Sequence, residues 1–347
     1  MNLNRKAFLD ALRIVAPATK KGHLPILHCV RIADRTGAIQ VVATDLETSI
    51  KADAGTNGIL QSAVVPHAPL LAFVASASDD IVLNFDTEDN ALLVTSAGST
   101  LRLRLATAED FPTTNQAEGD TVHIDAALAG QLGGCLYAAS RDNARPILTG
   151  LGIVDGWAVC TDSYRLSAVK ISAALPNCII PAHAVEQVLK HTKDGFELTI
   201  DNIRATFEVP GVGSWTTRLI EGQYPSWQRL VGTITGTLSC DRHDILAALD
   251  QVDVFDGNNT PVVKATPTDA GIRFSMRSDD GDEVSATIAG KLSGDAAMAF
   301  TPKYLLDLVK STDGDAFEAG IDGASKPVTI GSLDSGRVQL LMPVRAS

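Results

Sequence analysis

Residues 64–85 read VVPHAPLLAFVASASDDIVLNF: apolar residues, a proline, an apolar run of helical length, an acidic turn and a strand-like close. Pro66 stands where the fixed φ of proline is tolerated, at the head of a helix. The plan returns at 179–200, IIPAHAVEQVLKHTKDGFELTI, and at 299–321, AFTPKYLLDLVKSTDGDAFEAGI, with Pro181 and Pro302 in the place of Pro66. The starts lie 115 and 120 residues apart, a domain-sized period. A second element recurs in the same phase. MNLNRKAFLDALRIVA begins at residue 1, TVHIDAALAGQLGGCLYAA at 121 and GTLSCDRHDILAALDQV at 236, each a short strand, a polar helix start and an amphipathic helix.

Between these helices lie short alternating stretches such as AIQVVATDL, LLVTSAG, TLRLRLAT, NIRATFEV and VTIGSL, which have the period of half-buried strands. Each period thus holds two helices and many strands, the pattern of an α+β domain with helices on one face of antiparallel sheets. Turn formers crowd FPTTNQAEGD (111–120) and YPSWQRLVGTITG (224–236), which read as linkers. The expected division is therefore 1–118, 119–232 and 233–347.

The 347 residues are 45% hydrophobic and 20% charged, the composition of a folded globular chain. No apolar run approaches the roughly 18 residues that span a bilayer, and the N-terminus carries no secretory pattern. Cys29, Cys135, Cys160, Cys178 and Cys240 are odd in number, scattered and never in a CxxC pair. They read as reduced thiols of a cytoplasmic protein, with neither a disulfide framework nor a zinc site. The net charge of −12 opposes a conventional nucleic-acid binder. Residues 1–24 depart from it locally, with Arg5, Lys6, Arg13, Lys20 and Lys21 against Asp10 alone.

Chemistry-bearing motifs are scarce. There is no GxxxxGK[ST] phosphate loop, no GxGxxG turn and no GxSxG elbow, and the seven histidines form neither HxH nor HExxH. No cofactor and no metal are expected. Two related stretches stand out, ATDLETSI from Ala43 and CTDSYRLS from Cys160. An Asp repeated at the same point of two domains suits a turn, where its carboxylate accepts backbone N–H bonds. The competing reading makes Asp45 or Asp162 a general acid or base, which requires a pocket and a perturbed carboxylate.

LPILHCVRI and VVATDLETSI, then SRDNARPILTGLGI with CTDSYRLSAV, and finally LLMPVRAS at the C-terminus resemble the bacterial sliding-clamp family, the beta subunits of DNA polymerase III. The match runs through all three repeats in order. The resemblance implies three tandem DNA-clamp domains of curved antiparallel sheets, joined head to tail with a second copy into a closed ring around duplex DNA. It implies no catalysis: the ring tethers replicative polymerase, and other replication and repair proteins, to the template.

The resemblance also assigns residues. Arg102 and Arg104, which share one face of an expected edge strand, and Asp279, Asp280, Asp282 and Glu283 of the third repeat would meet across the dimer joint. Lys6 and Arg13, on the face of the first helix opposite Phe8, Leu12 and Val15, would touch DNA, as would Lys20, Lys21, Arg141 and Arg145. Pro146 and Ile147 stand where family members often carry aromatics, and the first helix of repeat three is acidic, so DNA contact would rest on repeats one and two. Partners, the clamp loader among them, would dock through short Gln-aliphatic-aromatic motifs. Their cleft, between the second and third domains, would be lined by Leu148, Thr161, Ser163, Tyr164, Arg165 and Leu166, and by Leu340, Leu341, Met342, Pro343, Val344 and Arg345. In that reading Arg165 holds a backbone carbonyl or the Gln amide. Many relatives carry Gly-His where Ser163-Tyr164 stands, a proline at Gly232, and a different residue pattern where this chain ends Arg-Ala-Ser.

Overall fold

A computed structural model describes residues 1–19, 24–35, 38–56, 62–86, 88–113, 115–255, 262–293 and 297–345. One element order occurs three times. The first repeat runs β1 (Asn2–Leu3), α1 (Arg5–Val15), β2 (Cys29–Arg35), β3 (Ala38–Thr44), β4 (Thr48–Thr56) and β5 (Ala63–Pro66), then α2 (His67–Ser76), β6 (Ile81–Asp86), β7 (Ala91–Ser96) and β8 (Ser99–Arg104). The second runs β9 (Thr121–Asp125), α3 (Ala126–Gly133), β10 (Gly150–Val154), β11 (Trp157–Thr161), β12 (Arg165–Lys170) and β13 (Cys178–Pro181), then α4 (Ala182–Leu189), β14 (Gly195–Ile200), β15 (Arg204–Val209) and β16 (Gly213–Arg218). The third runs β17 (Gly236–Asp241), α5 (Arg242–Val252), β18 (Val263–Thr268), β19 (Gly271–Arg277) and β20 (Glu283–Ile288), with an extra short strand β21 (Gly290–Leu292) before β22 (Met298–Phe300). It closes with α6 (Pro302–Lys310), β23 (Ala316–Ile321), β24 (Val328–Ser332) and β25 (Arg337–Leu341).

Local chemistry sets these elements. Asn4 caps α1 by accepting the Ala7 N–H at 3.1 Å, and Phe8, Leu9, Ala11, Leu12 and Val15 form one buried stripe that leaves Lys6 and Arg13 exposed. Asp241 caps α5 through the N–H groups of His243 and Asp244. Pro302 opens α6, whereas Pro66 and Pro181 are the last strand residues before α2 and α4. No helix among the described residues is long and apolar enough to cross a membrane.

The chain divides into two compact units. Residues 1–129 with 183–219 form the first, and 130–182 with 220–347 the second, so the middle repeat contributes strands to both. The first unit holds a four-stranded sheet, β1-β6-β7-β8, and an eight-stranded sheet, β5-β2-β3-β4-β16-β15-β14-β9. The second unit holds a nine-stranded sheet, β13-β10-β11-β12-β25-β24-β23-β17-β21, and a four-stranded sheet, β20-β19-β18-β22. All pairings are antiparallel. Every repeat thus makes the same two half-sheets, and the long sheets arise where one repeat's half-sheet joins the next. The joining ladders are β4 with β16 and β12 with β25. Helices pack on the sheets, α1 against β4 and α2, and α5 against β20 and α6.

The segment 224–236 is more than a linker. Trp227 is buried and meets Trp157 edge-on at 5.2 Å, inside a cluster with Val159, Leu166, Val338 and Leu340. Its indole supplies anchoring that turn-forming composition conceals.

The β4–β16 seam needs Gly213, whose φ is +151° and whose added Cβ would lie 2.0 Å from the Lys51 carbonyl oxygen. Gly213→Ala is expected to lower the stability of the chain by about 1–3 kcal/mol in chemical denaturation. Gly211→Ala, at φ +72° with nothing within 4 Å of the added carbon, is expected to cost about 1–2 kcal/mol, the cost of the left-handed backbone alone.

Candidate functional site

The turn from Thr161 to Arg165 links β11 to β12 in the second unit. Asp162 is its centre: Oδ1 accepts the N–H groups of Tyr164 (2.9 Å) and Arg165 (3.0 Å). Thr161 Oγ1 donates to the Arg165 carbonyl at 2.7 Å and accepts the Ser163 N–H at 3.2 Å. The bonds drive Ser163 to φ +80°, a conformation that glycine adopts most readily. Tyr164 is thereby pushed outward and is 55% exposed.

Asp162 Oδ2 binds Arg165 Nε at 2.9 Å. The Arg165 guanidinium also reaches Asp307 of α6 at 2.6 Å, lies 4.3 Å from the Tyr304 ring centroid and 5.3 Å from that of Tyr137. Its side chain is 10% exposed. Two of its nitrogens are thus occupied, and it braces the turn against α6. Asp162 likewise spends both oxygens on its own turn, as a structural carboxylate does and a general base does not.

The C-terminal residues close the same wall. β25 pairs with β12 in the register Arg165↔Leu341 and Leu166↔Leu340, and the Met342 N–H continues the ladder to the Tyr164 carbonyl at 2.8 Å. The Val344 N–H donates to the Ala299 carbonyl at 2.8 Å. Thr161, Met342, Pro343 and Val344 are half-buried, and Ser163 and Arg345 are exposed. Leu148, Leu166, Leu340 and Leu341 are buried. Leu166 and Leu340 belong to the Trp157–Trp227 cluster, and Leu341 to the core beneath α5 and α6. The accessible apolar surface is thus Tyr164 with the Met342–Val344 strand end, floored by leucines. Tyr304, Tyr137 and Asp307 were not among the expected residues. The ring of Tyr304 lies 6.3 Å from that of Tyr164 and forms part of this wall. Its position in the helix TPKYLLDL gave no sign of that, because the partners are about 140 residues upstream.

The expected DNA-facing residues fall in both units. Lys6 and Arg13 line an open groove of about 550 Å3 in the first unit, with Asp10, Asp53, His191 and Gly211. Lys6 pairs with Asp10 at 3.0 Å, and burial and neighbouring Lys190 hold His191 below the usual histidine range. Arg141 and Arg145 are exposed in the second unit, where Arg145 binds Asp142 at 3.2 Å and Ser163 Oγ at 2.8 Å. The Ala144 N–H and Arg145 hold the Asp142 carboxyl below its ordinary value. Lys20 and Lys21 lie outside the described residues.

Arg102 and Arg104 project from β8, an edge strand, where Arg102 pairs with Asp86 at 2.9 Å and with Asp89. Asp279, Asp280 and Asp282 sit in the turn before β20, also an edge strand, and Glu283 on β20 binds Arg273 at 2.7 Å and Arg277 at 3.4 Å. Three metal-type donors come together among the described residues, Asp241, His243 and Asp244. All are exposed, and Asp241 already caps α5.

Arg165→Ala leaves Asp162 and Asp307 without their shared cation and is expected to cost about 3 kcal/mol in chemical denaturation, with Arg165→Lys recovering little of it. Burial pushes the Tyr137 phenol up to about 12 from its usual 10. Because the folded state favours the neutral phenol, this contribution is complete below pH 10 and is lost as pH rises through about 12. Denaturation midpoints measured across that window are expected to fall less steeply for Tyr137→Phe.

Comparison with known proteins places this geometry. Residues 127–226 match the family model "DNA polymerase III beta subunit, central domain". The chain is 25% identical to the beta sliding clamp of Streptococcus pneumoniae over 375 residues, covering 100% of this chain and 99% of that one. It is also 25% identical to the beta sliding clamp of Bacillus subtilis, over 97% of this chain and 96% of that one. Among solved structures, the Bartonella birtlesii sliding clamp bound to griselimycin superposes with a TM-score of 0.91 at 24% identity, covering 100% and 99% of the two chains. The Caulobacter crescentus beta sliding clamp gives a TM-score of 0.91 at 22% identity, covering 99% and 98%. Agreement of the repeat topology, the central-domain match and full-length similarity leads to one conclusion: over its whole length this chain is similar to the beta sliding clamps in sequence and fold, with residues 127–226 matching the central domain of the DNA polymerase III beta subunit.

Proposed function

We propose that the chain is a processivity clamp: two copies join head to tail around duplex DNA and tether polymerase through the wall at Tyr164 and Met342. One observation carries this reading. The strand that joins each repeat to the next is the fourth of one half-sheet pairing with the last of another, β4 with β16 and β12 with β25. The remaining members of that series, β20 and β8, are edge strands among the described residues. An edge strand of six residues invites a partner. Pairing β20 of one copy with β8 of the other satisfies both edges by the internal rule, and two such joints per pair of chains close the assembly. The domains are then 1–118, 119–232 and 233–347.

Charge supports the joint. Arg102 and Arg104 lie on one edge, and Asp279, Asp280, Asp282 and Glu283 flank the other. Opposite edges set register and orientation. DNA contact falls to Lys6 and Arg13 of α1, with Lys20, Lys21, Arg141 and Arg145. On a chain of net charge −12 such contacts are weak and salt-sensitive, which suits sliding. Retention comes from linkage around the duplex, and a tethered polymerase gains effective concentration at the primer end. The protein acts in the cytoplasm without cofactor or catalysis. Its docking surface comprises Leu148, Thr161, Ser163, Tyr164, Leu166, Leu340, Met342, Pro343 and Val344 with Tyr304, and its rim is Arg345. Leu341 and Arg165 support it from beneath. The occupants are Gln-aliphatic-aromatic motifs of polymerase, clamp loader and other replication proteins.

Native mass spectrometry is expected to give a species of twice 36.5 kDa, and Arg104→Glu to weaken that dimer by about tenfold or more. A monomer at micromolar concentration contradicts the proposal. Met342→Ala is expected to lower affinity for a Gln-motif peptide at least about tenfold in calorimetry with the dimer intact; unchanged affinity would mean the docking surface lies elsewhere.

A further inference from the structure

The β3–β4 turn of the first unit repeats the docking turn bond for bond. Asp45 Oδ1 accepts the N–H groups of Glu47 (3.1 Å) and Thr48 (2.7 Å), and Thr44 Oγ1 donates to the Thr48 carbonyl and accepts the Leu46 N–H, both at 3.1 Å. Leu46 has φ +79° against +80° for Ser163. The ladder beyond is the same. Thr48 faces Thr217 and Ser49 faces Thr216, as Arg165 faces Leu341 and Leu166 faces Leu340. The Arg218 N–H then donates to the Glu47 carbonyl at 2.9 Å, as the Met342 N–H does to Tyr164 at 2.8 Å. A cleft of about 320 Å3 lies here, lined by Leu46, Glu47, Pro112, Ile203, Thr216 and Arg218 among others.

The two sites share a backbone and differ in what it carries. In the second unit the second rung from the turn and the terminal bond bear Leu166, Leu340, Tyr164 and Met342. In the first they bear Ser49, Thr216, Glu47 and Arg218. Thr216 is further committed to Thr206, at 3.0 Å. A peptide's apolar anchor seated over the first quartet would cover the exposed Glu47 carboxylate and Arg218 guanidinium, above Ser49 and Thr216 hydroxyls that are already buried, and would bring neither charge a polar group in exchange for water. That cost exceeds the gain from burying one aliphatic side chain.

We infer that Glu47 and Arg218 are specificity-determining residues that bar hydrophobic docking motifs from the first repeat's copy of the site, so that each chain engages one such partner instead of two. The inference rests on the docking reading of the Tyr164–Met342 wall. The polar quartet acts as a repulsive element, the half of specificity that attractive contacts alone do not supply. With one occupied site per chain, a dimeric clamp holds two partners through this class of motif, and competition among partners follows.

Isothermal titration of the full-length protein with a synthetic Gln-aliphatic-aromatic peptide reads this directly. The wild-type chain is expected to bind one peptide per chain. Glu47→Tyr with Arg218→Met, and the fuller transplant that adds Ser49→Leu and Thr216→Leu, are expected to raise the ratio toward two, with circular dichroism reporting retained fold. Adding Met342→Ala to the rim variant should then leave the new site as the tighter one. A ratio of one for every folded variant overturns the inference while leaving the docking reading in place. A ratio of two for the wild-type chain also overturns it. Binding by neither wild type nor variants overturns the docking reading, and this inference with it.

Discussion

The structure depends on one main-chain constraint: a half-sheet ends in two edges, and each edge carries a row of N–H and C=O groups that seek a partner. The β4–β16 and β12–β25 ladders resolve this by pairing one repeat with the next. At the centre of the two seams Trp215 faces Ile50 and Ser167 faces Gln339, and at the end of the first Thr48 and Thr217 bond across it at 3.3 Å. Continuity of hydrogen bonding carries the chain from repeat to repeat, and the strands equivalent to the joining ones at the two ends of the series, β8 and β20, remain edge strands. On the proposed function those two edges are the means by which two copies assemble, so the same interaction that builds the monomer closes the clamp.

The Thr-Asp turn is the second device, and it serves the first. A short side chain that captures two successive N–H groups fixes where β3 or β11 reverses, and so fixes the register with which β4 or β12 meets its neighbour. Once the turn is fixed, residue choice at its tip is freed for recognition. The first unit spends that freedom on Leu46 and Glu47, and the second on Ser163 and Tyr164. Divergence at matched backbone positions is how repeated domains come to play different parts on one scaffold.

Much of this was legible in the sequence because it is local or periodic. The recurring prolines before helices, the apolar stripe of α1 and the alternation at Arg102 and Arg104 each declare an element, and the period near 115 residues declares the repeat. The structural role of Asp45 and Asp162 followed from their shared place in two copies. What sequence reasoning missed is contact across long separations. Tyr304 and Asp307 meet the Tyr164–Arg165 turn from α6, and no pattern at residues 300–310 signals that. The resemblance assigned Arg165 to the docking surface; its two carboxylates and two flanking rings become visible only in three dimensions. Trp227 was masked by the turn formers around it.

The central claim is topological: the clamp stays on DNA because it encircles it. The direct measurement is retention of the labelled protein, loaded by a clamp loader, on nicked circular DNA before and after a single-site restriction cut. Encirclement gives a complex that survives moderate salt on the circle and is lost rapidly once a free end exists. Equal retention on circular and linear DNA, with both declining together as salt rises, would mean that the protein holds DNA by surface charge alone and would contradict the account.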